Sequence, residues 1–182
     1  ANIVVRNTQR MNDTVSNVLE LSRRVPPNIT QVDVNDWILG VVHDFKEASS
    51  EEASLTVTGG CTWPISIDKS QLKRVLDNLI DNGLRHSESA TGQRTVDLHI
   101  GQSVVQRLCF IDGIDNGEGV PDSAQVRLFE LFCTTRPDGT GLGLYLCKEL
   151  CESNGAEINY RRTHDGRSSF RLSLRMQSRD AQ

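Results

Sequence analysis

The sequence predicts an α+β fold: a two-layer sandwich of a mixed, mostly antiparallel sheet with three main helices, preceded by one long N-terminal helix. Two observations lead to this prediction. Several short segments alternate apolar and polar residues as half-buried strands do, and Val96–Ile100 is the clearest. Three longer segments repeat apolar residues every three or four positions, which is typical of amphipathic helices. Strands and helices mixed in this way along one chain pack as a sheet layer against a helix layer.

The residue pattern over positions 1–25 predicts the long N-terminal helix. Apolar and small residues step by four and three positions from Val4 to Val25, which is a heptad pattern. So narrow an apolar stripe cannot build a core alone, so the helix either pairs with another helix in a bundle or dimer or packs on its own domain. A Pro-Pro pair then ends it, and residues 26–33 are predicted to be a linker. The chain opens with Ala1 inside the helical pattern, so we expect it to be a fragment of a longer protein.

Residues 34–177 predict the main domain, and residues 178–182 a polar tail. Its first helix can be capped by Asp33 or Asn35, and Gly155 is a natural stop for its last one. In chain order the patterns predict a helix over 35–48, strands at 55–58 and 65–68, a helix over 68–87, strands at 94–102 and 105–112, a helix over 142–154, and strands at 157–163 and 168–175.

Composition narrows the class of protein. The 182 residues are 37% hydrophobic and 24% charged, as in an ordinary soluble domain. The net charge of −4 does not point to a nucleic-acid partner or a lipid surface. No apolar run approaches the ~20 residues that cross a bilayer. The number of cysteines is odd, and although Cys147 and Cys151 could suggest a metal, we interpret these two as buried hydrophobes in a reducing cytosol.

The helix predicted over 68–87 carries an unusual polar stripe. Asn78, Asn82, Arg85 and His86 fall on one side of it, next to the apolar face. Asparagine is a weak helix former, so two of them one turn apart suggest a function. Their carbonyl oxygens suit a hard cation, and the nearby cation suits phosphate. A solvated helix face explains the same stripe equally well.

Two glycine-rich segments follow. Residues 115–119 (DNGEG) come after an apolar strand, where the carboxylate could accept a hydrogen bond from an exocyclic amine such as that of adenine, although a tight turn is the alternative. Residues 139–144 (GTGLGL) open a helix, where backbone N–H groups could hold phosphate. The second segment matches neither a Walker loop nor a dinucleotide fingerprint.

The order and spacing of these three segments resemble the nucleotide-binding boxes of the histidine kinase, gyrase, Hsp90 and MutL ATPase superfamily. Residues 128–136 (LFELFCTTR) are similar to the phenylalanine-rich box of sensor kinases, although Leu131 and Cys133 replace the usual Pro and Phe. Residues 10–23 resemble the second helix of the dimerisation and phosphotransfer hairpin of such kinases. The chain looks closest to nitrogen-regulation and type IV pilus sensor kinases. The resemblance implies a Bergerat-type ATP-binding fold and a two-component histidine kinase that uses ATP and Mg²⁺.

The resemblance also implies roles for individual side chains. Asp115 would receive the adenine amino group, and Asn82 would be the main protein ligand to Mg²⁺ with help from Asn78. Arg136 could reach the γ-phosphate and act in catalysis together with the two asparagines. The implied nucleotide-binding positions are Asn78, Asn82, Arg85, His86, Asp115, Gly117, Gly119, Thr134, Thr135, Gly139, Thr140, Gly141, Leu142 and Gly143.

The reaction implied is transfer of the γ-phosphoryl group to a histidine on the first hairpin helix, for relay to a response regulator. The chain lacks that helix. His43-Asp44 imitates its motif but lacks the expected proline, since Ala48 stands there, so we interpret His43 as a structural or surface residue. The resemblance further implies a homodimer in the full-length protein and a cytoplasmic location, and it is compatible with an anchor in the inner membrane.

Two other readings stay open. The chain could be an ATPase or serine-kinase relative in the same superfamily, although the heptad pattern at its start argues against this. It could also be a degenerate kinase that binds nucleotide or partners without transfer, although intact Asn82, Asp115 and glycine loop argue against decay.

Overall fold

The computed structural model describes residues 25–49, 52–134 and 139–177. The predicted N-terminal helix, the tail, Thr135 and Arg136 therefore lie outside the described residues. The elements are β1 Thr30–Val32, α1 Val34–Ala48, β2 Ser54–Gly59, β3 Ile65–Ile67, α2 Lys69–Thr91, β4 Thr95–Ser103, β5 Leu108–Asp115, α3 Asp122–Gln125, α4 Gly143–Ser153, β6 Glu157–Arg162 and β7 Ser168–Arg175.

Five strands form the main sheet in the order β2-β4-β5-β7-β6. The β2–β4 pair is parallel and the other three pairs are antiparallel, so the sheet is mixed and mostly antiparallel. Side chains alternate along each strand, and one set faces α1, α2 and α4. Leu98, Ile111 and Leu172 of this set are at most 1% exposed and pack with Leu76 and Ile80 of α2. The predicted two-layer α+β sandwich is confirmed.

Residues 26–33 differ from a plain linker. Residues 30–32 form β1, which pairs antiparallel with β3 and buries Val32. The backbone N–H of Asn28 also donates to Asp68 Oδ2 at 2.8 Å. A three-residue strand is too short to show an alternating pattern, so periodicity could not predict it.

Helix α2 is longer than predicted. It begins after Asp68, whose carboxylate accepts the backbone N–H groups of Ser70 and Gln71. It continues four residues beyond the predicted end, to Thr91, and stops at Gly92 with φ 74°. The last turn is polar, which is why hydrophobic periodicity did not predict it.

The end of β5 also differs from its prediction. The β4–β5 turn occupies residues 104–107, with Arg107 at φ 55°, so β5 starts and ends three residues later than expected. Asp115 is therefore the last residue of the strand rather than the first of a loop. It is paired with Val96 on one side and Ser168 on the other.

Candidate functional site

A cavity of about 990 Å³ lies between α2, the end of β5 and the loop before α4. Asn78 and Asn82 line it from the helix, and Asp115 lines it from the sheet. Gly139–Gly141 and Gly143 line it from the third side. The three polar segments singled out in the sequence therefore share one cleft, although they lie far apart along the chain.

On the α2 side, the side chains of the two asparagines are hydrogen-bonded to each other. Asn82 Nδ2 donates to Asn78 Oδ1 at 2.9 Å. The bond uses the amide nitrogen of Asn82, so its carbonyl oxygen can still bind a cation. Helix α4 starts very close by, since a Cβ added to Gly143 would lie 2.7 Å from Asn78 Nδ2. Any larger residue at 143 would displace the Asn78 side chain or the start of α4.

On the sheet side, Asp115 is a buried carboxylate, only 3% exposed. Its Oδ1 accepts the backbone N–H of Gly117 at 2.8 Å. Burial raises the pKa of Asp115, and this outweighs hydrogen bonds from Gly117 and Ser168 and the nearby charges of His86 and Arg167, which lower it. The site thus holds a buried and strong hydrogen-bond acceptor, which is the chemistry that suits an amino group of a planar ligand.

Ser87 shapes the turn after Asp115 and was not among the predicted site residues. Its hydroxyl donates to the Thr95 carbonyl at 2.7 Å and accepts the Asn116 N–H at 2.9 Å. The side chain is fully buried between α2 and the sheet. The serine therefore ties helix and sheet to the residue that follows Asp115. A serine on the apolar side of a predicted helix is the only sequence signal for it.

The glycine loop packs against the phenylalanine-rich segment. The Phe132 N–H donates to the Gly141 carbonyl at 3.0 Å, and both residues have positive φ. Thr134 and Thr140, which are both predicted positions, line the cavity, and Cys133 lines it as well. Leu142 does not line it: its side chain is 2% exposed. The apolar side chain of Leu142 is buried because this removes it from water, as for other core residues. Only the backbone of residue 142 can therefore contact a ligand in the cavity.

The remaining predicted positions have mixed placements. His86 and Gly119 line the cavity. Arg85 lines it too, but its guanidinium is paired with Asp81 at 2.6 Å, one turn earlier on α2. Gly117 is not part of the lining and instead donates its N–H to Asp115. Ser168, on the neighbouring strand, lines the cavity and was not predicted.

The side chains around the cavity suit a cation that takes most of its coordinating oxygens from a bound molecule and few from the protein. Among the described residues there is no group of three or more His, Cys, Asp or Glu that could hold a metal alone. Mg²⁺ usually takes only one or two protein oxygens, with water and phosphate oxygens as its other ligands. The amide oxygen of Asn82, beside the glycine loop, fits that limited role.

The chain also matches a known protein family. The family model described as "Histidine kinase-, DNA gyrase B-, and HSP90-like ATPase" matches residues 67–178. The chain belongs to this ATPase family. The matched range begins at the end of β3 and includes α2, β5 and the glycine loop, and therefore the segments that form the cavity.

Individual relatives are sensor kinases. Sensor protein kinase PilS of Pseudomonas aeruginosa is 39% identical over 173 residues, which is 94% of this chain and 33% of PilS. The chain thus spans about a third of the length of this relative. Among solved structures, full-length ShkA in complex with AMPPNP has a TM-score of 0.73 at 20% identity, covering 97% of this chain and 38% of ShkA. Histidine kinase ThkA in complex with response regulator protein TrrA has a TM-score of 0.75 at 20% identity, covering 97% of this chain and 50% of ThkA. At such identities these structures show the fold alone.

Within residues 25–49, 52–134 and 139–177, every helix is too short or too polar to cross a bilayer.

Proposed function

We propose that this chain is the ATP-binding catalytic region of a two-component sensor histidine kinase. It would transfer the γ-phosphoryl group of ATP to a histidine on a separate hairpin helix of the same protein. The observation that carries the proposal is the convergence of the asparagine pair, Asp115 and the glycine loop on one cavity. Membership of the ATPase family and the sensor-kinase names of the relatives support it.

The geometry suggests how the nucleotide is oriented. Adenine fits beside Asp115, which would accept a hydrogen bond from the exocyclic amine. The phosphates fit between Asn78 on α2 and the backbone N–H groups that open α4, where the helix dipole favours negative charge. The bound nucleotide would therefore run along α2, from the His86 end toward the Asn78 end.

Phosphoryl transfer then needs little covalent chemistry from the protein. Asn82 would be the main protein ligand of Mg²⁺, which neutralises charge on the phosphates. Asn78 would hold Asn82 in place through their 2.9 Å bond. The γ-phosphorus bond to the acceptor nitrogen forms as the bond to the β,γ-bridging oxygen breaks, and ADP leaves. Arg136, outside the described residues, stays a proposed contact for the γ-phosphate.

The acceptor histidine is proposed to come from outside this chain. His43 is exposed on α1 and is not in the lining of the cavity. A response regulator is the proposed second acceptor, because the structural relative ThkA was solved in complex with one. A homodimer in the full-length protein and a cytoplasmic location complete the proposal.

Phosphorylation in trans tests the proposal. The chain is mixed with Mg·ATP and a supplied hairpin that contains its histidine, and acid-labile phosphate on the hairpin is measured. We expect transfer by the wild type and none by Asn82→Ala. Asn159→Ala is the matched control, since Asn159 is exposed on β6 away from the cavity, and it should transfer normally.

Three results would separate the alternatives. Wild-type chain that binds ATP without labelling the hairpin would favour a binding module. Labelling of a serine would favour a serine-kinase relative. Normal transfer by Asn82→Ala would remove the metal role assigned to this residue.

A further inference from the structure

Strand β6 holds the glycine-containing loop that follows Asp115. The Tyr160 hydroxyl accepts the backbone N–H of Val120 at 2.9 Å. Two residues along the strand, Arg162 Nη2 donates to the Glu118 carbonyl at 3.0 Å. Both side chains thus hold the loop by its backbone, on either side of Gly119.

The conformation of Gly119 fits under these two side chains. Its φ is +79°, in the left-handed region, and a Cβ there would lie 2.7 Å from Arg162 Nη2 and 2.8 Å from Tyr160 Oη. The loop backbone is therefore in direct contact with β6. Gly119 and Val120 both line the cavity, so any shift of this backbone changes the wall of the cavity.

Each of the two side chains is itself held in place. The Tyr160 ring packs edge-on against Phe170, with centroids 5.4 Å apart and an angle of 65° between the rings. Arg162 Nη1 donates to the Gly166 carbonyl at 3.0 Å in the β6–β7 turn. The sheet therefore sets the position of both groups before any ligand binds.

We propose that Tyr160 and Arg162 are positioning residues that fix residues 118–120 and so keep the adenine end of the cavity in its binding shape. They act through the loop backbone and touch no reacting atom. The loop lies directly between Asp115 and Pro121, where α3 begins. Fixing it separates the adenine end of the cavity from any movement of the segment that follows. The inference rests on the proposed function of this cavity as an ATP site.

Tyr160→Phe tests the inference with the smallest change, because it keeps the ring and its contact with Phe170 and removes only the hydroxyl. In the nucleotide-free chain, we expect hydrogen exchange of the Val120 amide to become about tenfold faster, as expected for loss of one hydrogen bond. The melting temperature should stay within about 2 °C of the wild type, since the affected loop is small.

The kinetics of phosphoryl transfer to the supplied hairpin give the second measurement. A loosened binding wall weakens ground state and transition state alike, so KM for ATP should rise about threefold to tenfold with kcat unchanged. The affinity for ADP should fall by the same factor, because the change is at the base and not at the γ-phosphate. Arg162→Met should act in the same direction. Arg161→Met is the matched control: Arg161 is exposed on the same strand and points to the other face.

Specific outcomes would overturn the inference. Unchanged Val120 exchange in Tyr160→Phe would show that the hydroxyl does not hold the loop. Faster exchange with unchanged nucleotide affinity would show that holding the loop does not shape the site. If the wild type binds no nucleotide, the proposed function fails, but the exchange experiment still tests the contact itself.

Discussion

At the residue scale, Asp115 shows a conflict between binding and stability. A carboxylate that is 3% exposed lacks most of its solvation, and burial raises its pKa. Raising the folded-state pKa means that the folded chain holds the proton more tightly than the unfolded chain. Its burial therefore costs no stability at low pH and increasingly destabilises the fold as the pH rises through the raised pKa.

Asp115→Asn should remove this cost. We expect the variant to melt at a higher temperature than the wild type at pH 7.5, and the difference to shrink as the pH falls toward the ordinary carboxyl value of 3.8. The amide keeps an oxygen that can accept the Gly117 N–H. Nucleotide affinity should fall by roughly 1.5–3 kcal/mol, the scale of a charge-assisted hydrogen bond. Thermal melts between pH 4 and 8, with a nucleotide titration at pH 7.5, check both parts.

A wild-type melting temperature above that of Asp115→Asn at pH 7.5 would contradict this account, because the carboxylate would then stabilise the fold. Asp36→Asn is the control. Asp36 is an exposed carboxylate in the first turn of α1, where its charge favours the helix, so its replacement should not raise the melting temperature at pH 7.5.

Residue types and spacing were enough to single out Asn78, Asn82 and Asp115 as candidates, because each is chemically unusual for its local element. Ser168 and Ser87 could not be predicted in this way. Ser168 reaches Asp115 only because β7 pairs with β5 in one register. Ser87 reaches Asn116 only because α2 packs on the sheet at that point. Such neighbours depend on tertiary packing, which a single sequence does not encode locally.

At the element scale, the start of α2 joins three parts of the molecule. Asp68 is buried, and its carboxylate accepts N–H groups from Ser70, Gln71 and Asn28. Its own N–H donates to Asn154 Oδ1 at 2.7 Å, at the end of α4. One cap therefore positions α2, the strand-bearing segment before α1, and the helix that carries the glycine loop.

Asp68→Ala should cost about 2–3 kcal/mol of unfolding free energy, since it removes a helix cap and leaves three partly buried N–H groups without their acceptor. Asp33→Ala is the matched control. Asp33 caps α1 in the same manner but is exposed, so its loss should cost about 1 kcal/mol. Urea denaturation of both variants measures the difference. Equal costs would mean that the extra contacts of Asp68 add nothing to capping.

Helix starts were more predictable than the other element boundaries. Asp33 caps α1 through contacts within two or three positions, so the sequence alone could offer it as one of two cap candidates. The end of α2 is set by Gly92 in the left-handed conformation, after a polar last turn, and the start of β5 depends on the turn at residues 104–107. Both are set by turn geometry, and both were predicted several residues too early.

At the scale of the whole molecule, the cavity is shared by both layers. Its walls come from α2 and α4 in the helix layer and from β5 and β7 in the sheet layer. A ligand that bridges these walls binds the folded chain and not the unfolded one, so it must stabilise the entire domain. The size of that stabilisation depends only on affinity and concentration.

This linkage gives a test that needs no acceptor protein. At 100 times the dissociation constant, a ligand adds about 2.7 kcal/mol to the unfolding free energy. For a chain of this size, that corresponds to a rise in Tm of roughly 5–10 °C. We expect this rise with a non-hydrolysable ATP analogue and Mg²⁺.

Asp115→Ala should reduce the rise in Tm with or without Mg²⁺, since the contact with the base is lost. Asn82→Ala should lose only the part that Mg²⁺ adds, while the exposed control Asn159→Ala keeps both. If Asn82→Ala and Asp115→Ala both lost the same share of the ligand-induced rise in Tm, the metal end and the base end of the cavity would not be separate. The proposed orientation of the nucleotide along α2 would then be wrong.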